Sequence, residues 1–407
     1  MKKFTIKLKV LLVNTNKNIG GAAVACGRLM DALAQNGVEV RMLTASGVKW
    51  KIRKAVERVL LLPFVGFSWR KSWRIDVNWL GKDITQTDDY KWADIVNIHW
   101  ANQGILSLHD MGRIFSGEKP VVLTLHDMWH FTSICHHSSG CNAYEKECEH
   151  CHLQTGCNFV DLSHRIFRKK KKLYSKSSLS AVSVSSWLDG LVAKSSLLGD
   201  KRHYVIPNVV PLENFAIKDR MASRRRFGLP LDKKIIVFGA ANLADSVKRF
   251  PLFAEAVNML NDSDIHVLLF GNTTDNQVFE LLKVPYTYIG YLSSPEELPW
   301  VYSASDICVS ASAYETFGQT LSEAQACGCY PVSFGNSGQR DIIDHKVNGY
   351  LVDNQDAESL LQGILWALNH TSDTSRGVLR ENVENKFSAK SVAQKYISIY
   401  NQMLSSR

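Results

Sequence analysis

Short apolar runs of strand length alternate with helix-length segments along most of this chain, and the pattern starts afresh near its middle. The first set falls near Lys9–Val13, Glu39–Leu43, Ile95–Ile98, Val121–Leu125, Ala181–Val184 and Tyr204–Ile206. The second falls at Ile235–Phe238, His266–Phe270, Thr287–Ile289, Asp306–Ser310 and Tyr330–Phe334. Strands separated by helices in this way build a parallel sheet with helices on both faces. A helix from Ala22 to Gln35 follows the first strand and stops at Asn36-Gly37, where glycine takes the position just past a helix end. The expected fold class is therefore α/β, with two successive Rossmann-like doubly wound domains. They join near Pro207–Phe215 and on through a polar stretch to Leu231. A chain of 407 residues, 45% apolar and 21% charged, has the material for two cores.

Forty-eight Lys and Arg against 39 Asp and Glu leave a formal charge of +9, which favours anionic partners. Nucleotide sugars, phospholipid head groups and nucleic acid all qualify. The longest apolar run, Val59 to Phe67, is broken by Pro63 and Gly66 and falls short of the roughly 18–20 residues that cross a bilayer. The opening MKKFTIKLKVLLVN starts basic, but its apolar part is only strand-length and Asn14 follows it, unlike a secretory signal. The expected location is cytoplasmic, with thiols kept reduced.

The segment Asp306 to Val332, DICVSASAYETFGQTLSEAQACGCYPV, carries the most chemistry. Glu315 sits in a loop at the carboxyl end of a strand, the edge where open α/β sheets bind ligands. Gly318-Gln319-Thr320 opens a helix whose unpaired N–H groups and dipole suit a phosphate. Glu323 follows one to two turns into that helix. Two carboxylates beside an anion site suit a ligand with phosphates and sugar hydroxyls, whereas two glutamates taken alone are ordinary helix carboxylates.

With its surroundings, Glu315-x7-Glu323 resembles the paired-glutamate motif of retaining, GT-B-fold glycosyltransferases of family 4. Gly20-Gly21, Thr124-Leu125-His126-Asp127, Ile206-Pro207-Asn208 and Gly239 followed by Lys248 fall in that family's order. The HDMWHFT segment and the cysteines after it resemble the exopolysaccharide and colanic-acid-type subgroup. The resemblance implies two domains facing a cleft. Residues 1–206 would form the acceptor-side domain, with a Cys-rich insert at 135–157, and residues 207–386 the nucleotide-sugar domain. A terminal helix in 387–407, with Val392, Tyr396, Ile399 and Tyr400 at helical spacing, would cross back to the first domain. It further implies a retaining, metal-independent enzyme of the hexosyltransferase type. Such an enzyme moves a sugar from a nucleotide-diphosphate donor to a glycan or lipid-linked glycan in bacterial surface polysaccharide synthesis.

On that resemblance, Glu315 and His126 position the transition state. Gly20, Gly21, Lys248, Arg249, Phe317, Gly318, Gln319 and Glu323 bind the donor. Glu323 would take the ribose hydroxyls, and the backbone of Phe317, Gly318 and Gln319 would cradle sugar and phosphate. Relatives commonly carry an Arg–Lys pair after the strand IIVFG. Here Ala240 stands at the arginine position, and Arg249 replaces the usual Gly after the lysine. Either Lys248 neutralises most of the diphosphate or Arg249 supplies the second cation from a shifted position. Gly20-Gly21 also fits a plain turn, but it lacks the spaced glycines of a dinucleotide fingerprint, which argues against a dehydrogenase. His126 alone is equally a packing residue, and Asp127 could orient or charge its ring. Phe131 reads as core and Trp129 as core or a sugar platform. Asp262-Ser263-Asp264 precedes a strand, at the amino edge, and reads as a solvated turn instead of a catalytic metal site. Base and sugar choice would rest on loops near Gly271, Gly290-Tyr291 and the Gly20 turn.

Cys135, Cys141, Cys148, Cys151 and Cys157 lie within 23 residues among four histidines. Their spacing fits structural zinc at Cys135, Cys141, Cys148 and Cys151; disulfides and free thiols stay open. No cofactor is expected for catalysis. Two basic stretches, Lys49 to Arg74 and His164 to Lys176, read as solvated faces or, with their aromatic neighbours, as an anionic inner-membrane surface. No nucleic-acid module is present in the sequence. The rival functions are a nucleotide-sugar epimerase of the same fold and a non-enzymatic Cys-rich interaction module.

Overall fold

The computed structural model describes residues 7–157, 159–260, 263–371 and 373–406. It divides into two compact units, Met1–Val209 with Val392–Arg407, and Val210–Ser391. In the first unit six strands form one sheet: β1 (Lys9–Asn14), β2 (Glu39–Thr44), β3 (Ile95–Ile98), β4 (Val121–Leu125), β5 (Ser180–Ser183) and β6 (Arg202–Val205). Their order is β2-β1-β3-β4-β5-β6, and every pairing is parallel. β3, β4 and β5 are buried at every position, as strands covered by helices on both faces must be. Chain order reverses between β1 and β3, so the crevice at their carboxyl ends is where such a sheet takes a ligand. Gly20-Gly21 follow β1, His99 follows β3 and His126 follows β4, all at that edge.

The second unit repeats the plan with β7 (Lys234–Asn242), β8 (Ile265–Asn272), β9 (Tyr286–Tyr288), β10 (Ile307–Ser310), β11 (Tyr330–Phe334) and β12 (Tyr350–Val352). The order is β12-β11-β10-β7-β8-β9, again wholly parallel. Here the reversal lies between β7 and β10. One face of β7 packs on the helix Phe250–Asn258, where Phe238 and Phe253 stack with ring centroids 4.6 Å apart. The α/β class and both doubly wound sheets agree with the alternation read from sequence. Each expected run forms a strand within a few residues, and β12 is a strand that the alternation does not announce.

The helix Ala389–Ser405 belongs mostly to the first unit and buries Val392, Tyr396, Ile399, Tyr400 and Met403. Its tyrosines are fixed by polar groups of β3 and β4. Asn97 Nδ2 donates to Tyr400 Oη at 2.8 Å, and Thr124 Oγ1 lies 3.3 Å from Tyr396 Oη and donates to Asn97 Oδ1 at 2.9 Å. No described helix is long and apolar enough to cross a membrane.

Candidate active site

In the second unit the residues that leave β7 and β10 meet at the reversal point. Lys248 Nζ donates to Glu315 Oε1 at 2.6 Å, across 67 residues of sequence. Ser312 Oγ donates to the same oxygen at 2.8 Å, and the Glu315 N–H donates to Ser337 Oγ at 2.9 Å. The two loops are also tied through their backbones, with the Ala313 N–H on the Val247 carbonyl and the Gly338 N–H on the Glu315 carbonyl. Burial works against the charge on Lys248, but the Glu315 carboxylate outweighs it and raises the lysine above its ordinary range. The pair remains partly open, at 29% and 22% side-chain exposure, so a ligand oxygen has access to the ammonium.

Gly318 stands at φ +104 and caps the helix Gln319–Ala326. A side chain there would be strained, so the glycine turns the chain from the Glu315 loop into the helix. Glu323 is buried on that helix and accepts from Tyr302 Oη at 3.4 Å. Phe317 is buried too, its ring edge-on to Phe387, so only its backbone is left to face a ligand. Gly239, at the end of β7, faces the Phe270 ring so closely that any Cβ would collide with it.

Arg249 is placed differently from Lys248. It sits in the left-handed region at φ +50, and Nη1 donates to Gln355 Oε1 at 2.5 Å. A glycine would adopt that backbone without the strain an arginine carries there. The guanidinium is directed to Gln355 and has no described bond to the Lys248–Glu315 pair. Asp262 of the Asp-x-Asp sequence lies outside the described residues. Asp264, just before β8, is at the amino edge, where its carbonyl accepts from the Lys234 N–H at 2.7 Å.

In the first unit, Gly20 has φ +91 and open space around a Cβ position, so its conformation, not crowding, calls for glycine; Gly21 begins the helix Gly21–Gln35. His126 Nε2 lies 2.9 Å from His99 Nδ1, with the rings stacked at 5.1 Å. Burial holds His126 down at about pKa 4, and His99 is also well below its ordinary value through burial and the neighbouring His126. Both rings are neutral near pH 7, so His126 is suited to a hydrogen bond with a hydroxyl and unsuited to carrying charge.

Asp127 has no described hydrogen bond to the His126 ring, although its charge raises that ring against burial, as one of the two roles expected from sequence requires. Its carboxylate accepts from Trp129 N–H at 2.9 Å, Trp100 Nε1 at 2.8 Å and His136 Nδ1 at 2.7 Å. Burial would raise it, but His136 and these donors hold it at about 2. His136 Nε2 reaches Asp76 Oδ2 at 2.7 Å, and Asp76 closes on Arg58 in a fully buried ion pair. A chain Arg58–Asp76–His136–Asp127 thus supports the loop beside His126. Trp129 and Phe131 are both core, and Trp129 Nε1 donates to the Asp76 carbonyl at 2.8 Å.

Histidines kept neutral by burial give the fold a signed acid response. His99, His126 and His130, the last also held at about 4, take up protons first in the unfolded chain. Stability is therefore fully present above the unfolded value of about 6.5 and is lost as pH falls toward about 4. Urea unfolding at about pH 7.5, 6 and 5 should give a steadily falling free energy; a flat profile across that range would contradict these environments.

All nine cysteines are free thiols, which removes the disulfide alternative. Cys135 and Cys148 are pushed by burial to about 12 and about 11, with the neighbouring cysteine thiols adding to the rise. Among the described residues no three His, Cys, Asp or Glu side chains are grouped to hold a metal ion. Cys135, Cys141, Cys148 and Cys151 lie close enough to act on one another electrostatically. Lys170, in the second basic stretch, is fully buried and donates to the carbonyls of Trp129, Thr132 and Ser133 at 2.5, 3.2 and 2.7 Å.

Residues 19–214 match the family described as Glycosyltransferase Family 4, and residues 219–386 match Glycosyl transferases group 1. A D-inositol 3-phosphate glycosyltransferase of Geodermatophilus obscurus is 29% identical over 196 residues, 44% of this chain and 43% of that protein. An uncharacterized 41.2 kDa protein in the cps region of Klebsiella pneumoniae is 21% identical over 196 residues, 48% of this chain and 54% of that protein. The chain thus spans about half the length of these relatives or less. Among solved structures, a sucrose-phosphate synthase of Thermosynechococcus elongatus superposes with TM-score 0.70 at 17% identity, covering 98% of this chain and all of the other. HepE of Anabaena, solved with UDP and glucose, superposes with TM-score 0.59 at 15% identity, covering 97% and 99%. These likenesses carry the GT-B-type fold, and along the chain a segment matching Glycosyltransferase Family 4 is followed by one matching Glycosyl transferases group 1.

Proposed function

We propose that this glycosyltransferase moves a sugar, with retention, from a nucleotide-diphosphate sugar to a glycan or lipid-linked glycan in bacterial surface polysaccharide synthesis. The observation that carries the donor reading is the Lys248–Glu315 pair at the sheet reversal, beside the helix that starts at Gly318. A diphosphate leaving group gathers charge as the glycosidic bond breaks. The Lys248 ammonium and the N–H groups at the helix start stabilise it in a partly dry site. As phosphate oxygens take over Lys248, Glu315 is released to accept from sugar hydroxyls, and Glu323, one turn farther in, accepts from the ribose. Within the first unit, neutral His126 at the ligand edge of its sheet is suited to a hydroxyl hydrogen bond, and Gly20-Gly21 leave room for close backbone approach. No residue here needs to act as a metal ligand or nucleophile, because the departing phosphate accepts the proton of the attacking hydroxyl.

The presence of UDP and glucose in the HepE structure supports a nucleotide-sugar donor, and the cps-region relative supports the polysaccharide setting. The two glycosyltransferase domains leave the epimerase and the interaction module without support. Nucleotide sugars are to be screened by thermal shift, and the stabilising one assayed with glycan acceptors. A rise in Tm of several degrees is expected with at least one donor, followed by acceptor-dependent release of nucleotide diphosphate and a product that keeps the donor's anomeric configuration. Sugar conversion without acceptor, or an inverted product, would refute this reading.

A further inference from the structure

The helix Gly47–Leu61 is built inside out for a surface helix. Val48, Ile52, Val56, Val59 and Leu60 are all exposed, Val48 at 71%, Ile52 at 56% and Val59 at 55%. At about 100° per residue they share an arc of roughly 120°. On the opposite side the charged Glu57 and Arg58 are buried with Leu61. Glu57 Oε1 accepts from the Trp79 N–H at 2.9 Å, and Arg58 pairs with Asp76. An ordinary solvated helix directs its charges outward and its aliphatic row inward. This one holds an apolar row toward the surroundings.

The segment that follows extends the row. Phe67 is 75% exposed, although it occupies the left-handed backbone region at φ 57, which a bulky residue adopts only at a cost in strain. Trp69 and Trp73 are exposed beside it, edge to face with centroids 6.1 Å apart. Eight exposed large apolar side chains thus fall between residues 48 and 73, a density that single scattered surface apolars do not reach. Lys49, Lys51, Arg70, Lys71 and Arg74 are exposed among them, and among the described residues none of these five is paired with a carboxylate. From Ala45 to Ile75 the only acidic residue is Glu57, which is buried.

The other basic stretch behaves differently. Along the helix Leu162–Ser175 the exposed residues are Arg165, Arg168, Lys169, Lys171, Lys172 and Ser175, with no large apolar side chain outward. That helix is solvated in the usual sense. The two basic stretches, equivalent in composition, are separated by what faces out.

We propose that the outward face formed by Val48, Ile52, Val56, Val59 and Leu60, with Phe67, Trp69 and Trp73, docks this chain on an anionic lipid bilayer. The apolar row enters the boundary between head groups and acyl chains, the tryptophans lie at head-group level, and the unpaired cations meet the lipid phosphates. A protein partner would need carboxylates matched to five scattered cations, whereas an anionic bilayer is negative at every point of contact. The proposal concerns attachment only and stands apart from the sugar-transfer reading.

The test is co-sedimentation of the full chain with vesicles of phosphatidylglycerol in phosphatidylcholine, and with phosphatidylcholine alone, in the absence of any sugar donor. Binding is expected on the anionic vesicles, weaker by at least about tenfold on neutral ones and weakened by raising salt from about 0.1 to about 0.5 M. The double variant Ile52→Glu, Val56→Glu should lose at least about tenfold in vesicle affinity. Both sites are exposed, so its circular dichroism should match the parent; Phe67→Ala with Trp69→Ala, in the loop, gives an independent second reading. The proposal is overturned if the parent does not bind anionic vesicles, or if both double variants bind as well as the parent. It is equally overturned if the parent is a dimer in solution that Ile52→Glu, Val56→Glu turns into a monomer, which would make a second copy the occupant.

Discussion

Replacing Lys248 by alanine should lower kcat/KM for sugar transfer by about 10²–10³-fold, the loss expected when one preorganised donor to a developing anion is removed. Among the described residues no second cation bonds Glu315: the guanidinium of Arg249 is held by Gln355. Arg249→Ala should therefore change kcat/KM by less than about threefold, as an exposed polar contact is all it breaks. Lys248→Arg keeps the charge but not the point geometry against Glu315, and an intermediate loss is expected. Steady-state kinetics with donor titration decides. Comparable losses in Lys248→Ala and Arg249→Ala would mean that the arginine leaves Gln355 to join the lysine on the diphosphate.

The second large effect is on stability. Asp76→Ala should destabilise the first unit by about 3–5 kcal/mol, read from urea or thermal unfolding. Arg58 is 1% exposed and has no other carboxylate among its described bonds; it donates otherwise to the carbonyls of Ser72 and Ile75. Removing Asp76 strips that guanidinium of its bonded carboxylate, leaving only the neighbouring Glu57 to act on it, and takes one of the two carboxylates from His136. Replacing Arg58 and Asp76 together by leucine and alanine should cost clearly less than the two single changes added, since neither bonded partner is then left without the other. Strict additivity would show that the pair is not coupled.

Much of the scaffold was legible from sequence because strand and helix periodicities are local. Val121–Leu125 and Ile95–Ile98 announce themselves as buried strands without knowledge of any partner. The order of strands is not local, so the reversal points between β1 and β3 and between β7 and β10 had to come from the fold. β12 escaped because Tyr350–Val352 is three residues long and carries no period of its own. His99 could have been found, since IVNIH ends a strand with histidine just as VVLTLH does at His126. The family order names Lys248 and Glu315 separately as donor-site residues, but their ion pair is not marked in sequence, and Ser312 and Ser337, which fix the carboxylate, are ordinary loop serines there. Nothing local marks Lys170 among its exposed neighbours as the one that turns inward to three carbonyls, nor pairs Arg58 with Asp76 across 18 residues.

The helix Ala389–Ser405 has a consequence for how the molecule is made. The side chains that complete the packing over Asn97 and Thr124 are Tyr396 and Tyr400, which follow the whole second unit in the sequence. During translation the opening half must wait, with an oily gap beside β3 and β4, while the other half is made and closes on itself. Its sealing is tied to synthesis of the segment after the second unit, and a nascent chain stalled after Ser391 carries a first half that is not yet sealed.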